Sequence, residues 1–176
     1  MIIEFLKNPS NTGSVISSSR FLVDEMVSHI SKKGSVIELG SGSGVITRKL
    51  ASMRSVSTIY AYENNEEYHH SLKNIDKTIC LSDLFTMTAT HRNKKVNTIL
   101  SSIPFVNFSG ENRNKALNII NKTLDDDGVF IQYTYLNRCP FGHVALHENN
   151  FKVKQVKKIW LNIPPATVYV YEKIPS

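Results

Sequence analysis

The chain is poor in the residues that mark several large classes of protein. It has two cysteines in 176 residues, too few for a disulfide framework, so Cys80 and Cys139 read as reduced thiols of a cytoplasmic protein. No apolar run approaches the roughly 18 to 20 residues that a membrane span requires. The opening residues, MIIEFLKNPS, lack the basic start and apolar centre of a secretory signal. Eight glycines and six prolines are too few for collagen-like or low-complexity sequence. No internal repeat or linker is visible, and residues 1–176 are expected to form one domain with a helical cap over residues 1–34. Metal-ligand spacing is missing as well. His69 and His70 are adjacent and diverge on a helix, His91, His143 and His147 are scattered, and no metal is expected.

Positive charge is present without being concentrated. Lys and Arg number 21 against 15 Asp and Glu, a formal net charge of +6, and there is no basic tail. The densest group is FKVKQVKKIW, residues 151–160, followed by Arg92, Lys94 and Lys95. Such a balance suits phosphate, whether in nucleic acid or on an anionic bilayer. The same lysines also describe a solvated edge strand protected against pairing with another chain.

Short apolar runs alternate with helical patterns, which predicts an α/β fold: a mostly parallel sheet with helices on both faces. A helix is expected from the serines at 17–19, through Phe21, Leu22, Met26, Val27 and Ile30, to Gly34. Strands are expected at 35–39, 57–63, 78–82, 96–102 and 128–135, with helices at 45–53, 64–75 and 111–124 between them. Asp125-Asp126-Asp127-Gly128 reads as the turn entering the fifth strand. Two alternating strands at 151–160 and 166–173, separated by LNIPP, predict an antiparallel hairpin that completes a seven-stranded sheet.

The segment Val36-Ile37-Glu38-Leu39-Gly40-Ser41-Gly42-Ser43-Gly44 carries the chemistry. It lies where a buried strand turns into a helix, and its glycines let the backbone bend sharply and approach a ligand closely. The dinucleotide pattern fails, because the sixth position from Gly40 is Val45. An acid two residues before Gly-x-Gly-x-Gly fits instead, and this resembles the first motif of the Rossmann-like, class I methyltransferases that use S-adenosylmethionine. The resemblance implies a cofactor site of Glu38, Gly40, Ser41, Gly42 and Gly44, with Glu38 holding the loop and the cofactor's amino end. Glu63, next to Asn64 at the end of the second strand, suits the two ribose hydroxyls, and Asp83 the adenine amino group, with Leu84 or Phe85 flanking the ring. Read structurally, Glu63 is a carboxylate favoured by a helix N-terminus and Asp83 a helix cap.

The fourth strand ends in Ser101-Ser102-Ile103-Pro104-Phe105. Adenine-directed methyltransferases have Asn-x-Pro-aromatic there, and its amide and backbone carbonyl hold the target amine. Ser102 stands in place of that Asn. Combined with Leu6-Lys7-Asn8-Pro9, Thr12 to Arg20, Phe130-Ile131-Gln132-Tyr133-Thr134-Tyr135, Arg138-Cys139-Pro140 and Ile159 to Ala166, this loop is similar to that of the bacterial phospholipid N-methyltransferases, which methylate phosphatidylethanolamine towards phosphatidylcholine. That resemblance implies S-adenosylmethionine as cofactor, with Ser101 beside it. It also implies a phospholipid acceptor held by Ser102, Pro104, Phe105 and Arg138, and a chain bound peripherally to the inner face of a membrane. Tyr133, Tyr135 and His143 are the candidate proton acceptors, and a monomer is expected. Ile2, Ile3, Phe5 and Leu6, with Lys7, make either a short interfacial turn or a helix packed on the domain itself. Alternatives are an RNA adenine methyltransferase, an enzyme for another small amine, and a cofactor-binding partner subunit without activity.

Overall fold

The computed structural model describes residues 18–92 and 94–175. The expected features of the first residues, the interfacial turn at 2–7 and the segments up to Ser17, lie outside that range.

Seven strands form the sheet: β1 (Gly34–Leu39), β2 (Val56–Tyr62), β3 (Thr78–Leu81), β4 (Val96–Ser101), β5 (Leu124–Thr134), β6 (Phe151–Ile159) and β7 (Ala166–Lys173). Their order is β3-β2-β1-β4-β5-β7-β6. The first five are parallel, and β7 runs antiparallel to both β5 and β6. Helices α1 (Arg20–Ser28), α2 (Val45–Ser52), α3 (His69–Lys73), α4 (Met87–Thr90), α5 (Gly110–Thr123) and α6 (His143–Glu148) complete the fold.

Consecutive strand residues point to opposite faces, and in a sheet covered on both sides each face must be apolar. Ile37, Ile99 and Phe130 accordingly pack with Leu117 and Ile120 of α5 and Leu146 of α6. Their neighbours Val36, Leu100 and Ile131 pack with Leu22 and Met26 of α1 and Ile46 and Leu50 of α2. The expected architecture is therefore the observed one: a Rossmann-like sheet with an antiparallel C-terminal hairpin and helices on both faces.

Three details differ from the sequence reading. Helix α1 stops at Ser28, whose hydroxyl donates to the carbonyl of Glu25 at 2.8 Å, a side-chain bond that competes with the helical ladder. Strand β5 begins at Leu124, because the acidic run is an irregularity within the strand. Val96 pairs with Leu124 and Thr98 with Val129, so Asp125 to Gly128 stand opposite Asn97 alone; Gly128 stays buried while Asp126 faces Lys95 and Lys173 and Asp127 faces Lys32. Residues 143–148, for which the sequence suggested no element, form α6. The lysines of β6 follow the edge-strand reading. Lys152 and Lys154 reach Glu172 at 3.2 and 3.0 Å, and Lys157 pairs with Glu25.

Candidate active site

The register aligns Leu81, Tyr62, Leu39, Ser101 and Gln132 in one row across five strands. After Leu81, Tyr62, Leu39 and Ser101 the chain leaves the sheet at once, and after Gln132 two residues later, all at one edge, the place where open α/β sheets bind ligands. A cavity of about 460 Å³ opens there, within the range of small-molecule sites. It has two halves.

The first half is built on the loop from β1 to α2. Gly42 has φ +50°, and a side chain there would meet nothing within 4 Å, so this glycine faces open space. Its N–H donates to Glu63 Oε2 at 2.7 Å, while Glu63 Oε1 accepts from Asn65 N–H at 2.8 Å. One carboxylate thus fastens the glycine loop to the loop after β2. Asn64 lies exposed on the wall beside it. Asp83 Oδ1 accepts from Phe85 N–H at 2.8 Å, which caps the turn holding Leu84 and Phe85 against the cavity. Capping uses one carboxylate oxygen and leaves the other for a ligand, so the two readings of Asp83 are compatible.

Glu38 forms the floor, 1% exposed. Thr47 Oγ1 donates to its Oε2 at 2.6 Å. Burial pushes its pKa up to about 8, against the Thr47 and Ser41 hydrogen bonds that favour the ion. Thr47 was not singled out from the sequence. Its signal is its position in the first turn of α2, directly above the acid that ends the preceding strand.

Not every expected residue faces the cavity. Gly44 caps α2 with φ +80°, and a Cβ there would lie 2.8 Å from Ile75, so this glycine serves helix packing. Ser101 is fully buried, and its Oγ accepts from Ile103 N–H at 3.1 Å, which shapes the loop from behind. Neither lines the cavity, in contrast to Gly40, Ser41 and Gly42.

In the second half, Ser102, Pro104 and Phe105 line the wall after β4, joined by Phe108, which stacks edge-on to Phe105 at 5.3 Å. Opposite are Tyr133 and Tyr135, with ring centroids 5.4 Å apart and nearly perpendicular. Burial, then the neighbouring Tyr133, raises the pKa of Tyr135, and Asn162 and Ser18 also hydrogen-bond it. A phenol so held gives up its proton less readily than an ordinary tyrosine, which weighs against Tyr135 as the proton acceptor. His143 begins α6 on the exposed surface outside the cavity lining, and Arg138 is likewise exposed outside it. Loop residues counted forward from a strand end do not reveal which way the chain turns.

Two residues that sequence reasoning passed over support this half. Gln132, buried at the end of β5, reaches the Ser102–Phe105 loop. Asn162, also buried, accepts from Ser19 N–H at 2.9 Å and donates to the carbonyl of Pro164 at 2.7 Å. It anchors the β6–β7 turn beside Ser18 and Tyr135, both at the cavity. The apolar residues around it point outwards: Trp160, Leu161 and Ile163 are 68%, 65% and 85% exposed. Lys158 Nζ lies 4.2 Å from the centre of the Trp160 ring.

Known structures share this architecture. A 1,6-didemethyltoxoflavin N1-methyltransferase from Burkholderia thailandensis, solved with its substrate and S-adenosylhomocysteine, is 12% identical with a TM-score of 0.73, over 99% of this chain and 86% of that one. A precorrin-6y C5,15-methyltransferase from Geobacter metallireducens is 14% identical with a TM-score of 0.68, over 92% of both chains. The magnesium protoporphyrin IX methyltransferase of Synechocystis, solved with S-adenosylmethionine, is 14% identical with a TM-score of 0.62, over 86% of this chain and 76% of that one. At such identities the likeness is one of fold. A comparison with curated proteins finds no match. The family model described as methyltransferase small domain matches residues 11–133, which include the glycine loop, Glu63, Asp83, the Ser102–Phe105 loop and Tyr133. The chain belongs to the methyltransferase small domain family.

Proposed function

We propose that the chain is an S-adenosylmethionine-dependent N-methyltransferase that acts on the amine of phosphatidylethanolamine, and on its mono- and dimethyl forms, at an anionic membrane surface. The observation that carries this reading is the second half of the cavity, lined among the described residues by aromatic and apolar side chains and no carboxylate, with Tyr135 on its wall bonded to Asn162 of the exposed Trp160–Ile163 turn.

The first half fits the cofactor. Gly42 leaves open space where a Cβ would intrude, Glu63 and Asp83 offer carboxylate oxygens to hydroxyl and amino groups, and Leu84 offers an apolar surface to a ring. Glu38, protonated in the absence of a counter-charge, becomes a carboxylate partner for a cationic amino end. When bound, S-adenosylmethionine supplies a methyl group on a sulfonium. An amine aligned beside it would take up that methyl, with the thioether sulfur as the leaving group.

The chain's own work is alignment and exclusion of water. An ammonium group must lose a proton before it attacks. Among the described residues no carboxylate lines this half and the Tyr135 phenol is held in its protonated form, so on this reading the proton passes to solvent. Tyr133 and Tyr135 then face the amine with their rings, a surface that favours the methylammonium formed at each step. The turn at 160–163 suits the bilayer interface: Trp prefers that depth, and the Lys158 ammonium held over the Trp160 ring puts a positive charge there for lipid phosphates.

Mass-resolved methyl transfer to phosphatidylethanolamine in anionic vesicles, with purified RNA in parallel, tests the proposal. Methylated lipid is the expected product. Cofactor binding without any methylated lipid would overturn the lipid reading, and methylated RNA would replace it.

A further inference from the structure

The loop after β4 lacks the acceptors that an Asn-x-Pro-aromatic loop offers an amine. Ser102 supplies a short hydroxyl in place of the Asn amide. The carbonyl of Ile103 is already used twice, accepting from Phe105 N–H at 2.8 Å and from Gln132 Nε2 at 3.0 Å. Two donors fill the two lone pairs of a carbonyl oxygen.

Gln132 brings an amide to the same place from the neighbouring strand. It lies opposite Ser101 in the β4–β5 register and is 1% exposed at the cavity floor. Its Nε2 donates to the carbonyls of Ile103 and Tyr133. This pair of acceptors fixes the orientation of the amide, because a flipped group would set its oxygen against two carbonyl oxygens. Oε1 is then left buried with no partner among the described residues. A buried carbonyl without a donor is costly, and such a site is relieved by a ligand that brings the missing hydrogen.

We infer that Gln132 Oε1 accepts an N–H of the amine to be methylated, so that the amide of the acceptor site comes from β5 instead of from the loop after β4. The inference rests on the functional reading above. The amide is neutral and takes no proton; it holds an N–H while the lone pair is directed at the methyl group. Because the residue is almost fully enclosed, its partner is a group lodged against the floor and not bulk water. Such an acceptor discriminates by degree of methylation. A primary or secondary amine still has an N–H to give when its lone pair attacks, whereas the tertiary amine of the dimethyl form and the quaternary product have none, so the last methylation proceeds without this bond.

The test uses the full-length chain with Gln132→Met, which keeps length but has neither acceptor nor donor, and Gln132→Glu, which keeps an acceptor. Turnover of phosphatidylethanolamine, inhibition by phosphatidylcholine and affinity for S-adenosylmethionine are measured for each. Gln132→Met is expected to lower kcat/KM for phosphatidylethanolamine about ten- to a hundred-fold, the range for a hydrogen bond to a charged group. Inhibition by phosphatidylcholine and cofactor affinity should stay within about twofold, and Gln132→Glu should recover part of the lost turnover. Equal losses towards both lipids, or undiminished turnover, would restrict Gln132 to shaping the loop and overturn the inference. A wild-type chain that methylates no phosphatidylethanolamine would instead overturn the functional reading, and this inference with it.

Discussion

Glu38 is a carboxyl group enclosed by protein, and its protonation is tied to both stability and ligand. Its pKa rises from an ordinary 4.5 to about 8 through burial, so between those values the unfolded chain gives up a proton that the folded chain retains. The sign follows: this residue lowers stability as pH climbs from about 4.5 to 8 and contributes a constant penalty above that. Glu38→Gln should therefore be more stable than the wild type, with a gap that opens across this window and reaches a few kcal/mol, given about 1.4 kcal/mol per unit. Thermal unfolding from pH 5 to 9 checks it, and parallel curves would refute the assignment. A cationic amino end bound beside Glu38 favours the ion, so cofactor affinity should rise towards pH 8 in the wild type and lose that slope in Glu38→Gln. Calorimetric titration at several pH values measures both.

The β6–β7 turn is the element whose role is easiest to isolate. Trp160 is the single tryptophan of the chain, so its fluorescence reports on this turn alone. Anionic vesicles should shift its emission to the blue, and brominated lipid should quench it. Replacing Leu161 and Ile163 with Ser should weaken vesicle binding about tenfold or more, since each loses a large apolar side chain from the interface, while soluble short-chain substrate is turned over as before. Unchanged emission in the presence of vesicles would detach the turn from the membrane. The elements themselves were largely legible in the sequence, because strands buried on both faces leave short apolar runs such as Val129–Ile131. Which way a motif residue faces was not. Gly44 and Ser101 lie within the expected motifs, yet one backs onto Ile75 and the other onto its own loop. Spacing specifies position along the chain, whereas facing depends on the partner strand. Gln132 was hidden for the same reason: an amide within an apolar strand becomes meaningful only when β4 is seen beside it. The acidic run at 125–127 was read as a turn because its charges conceal a strand whose interruption is stabilised by Lys32, Lys95 and Lys173.

For the whole molecule, ligand occupancy should couple to folding, because both loops of the first half of the site are joined through the Glu63 carboxylate. S-adenosylmethionine at a hundred times its Kd should stabilise the chain by about 2.7 kcal/mol, a rise in Tm of roughly 5 to 10 °C for a domain of this size. Gly42→Asp should abolish that rise, since its side chain occupies open cavity at a backbone φ of +50° and brings a second negative charge beside Glu63. Scanning fluorimetry with and without cofactor reads both, and an equal rise in the variant would contradict the cofactor assignment.

Strand order also has a bearing on how the chain is made. β7, the last strand in sequence, lies between β5 and β6 and closes both. During synthesis from the N-terminus, the side of β5 that later pairs with β7 stays bare until residues 166–173 have left the ribosome. An uncovered strand edge invites pairing with other chains. The parallel half of the sheet can therefore assemble early while this edge stays adhesive until β7 emerges, a window in which the nascent chain is prone to aggregate.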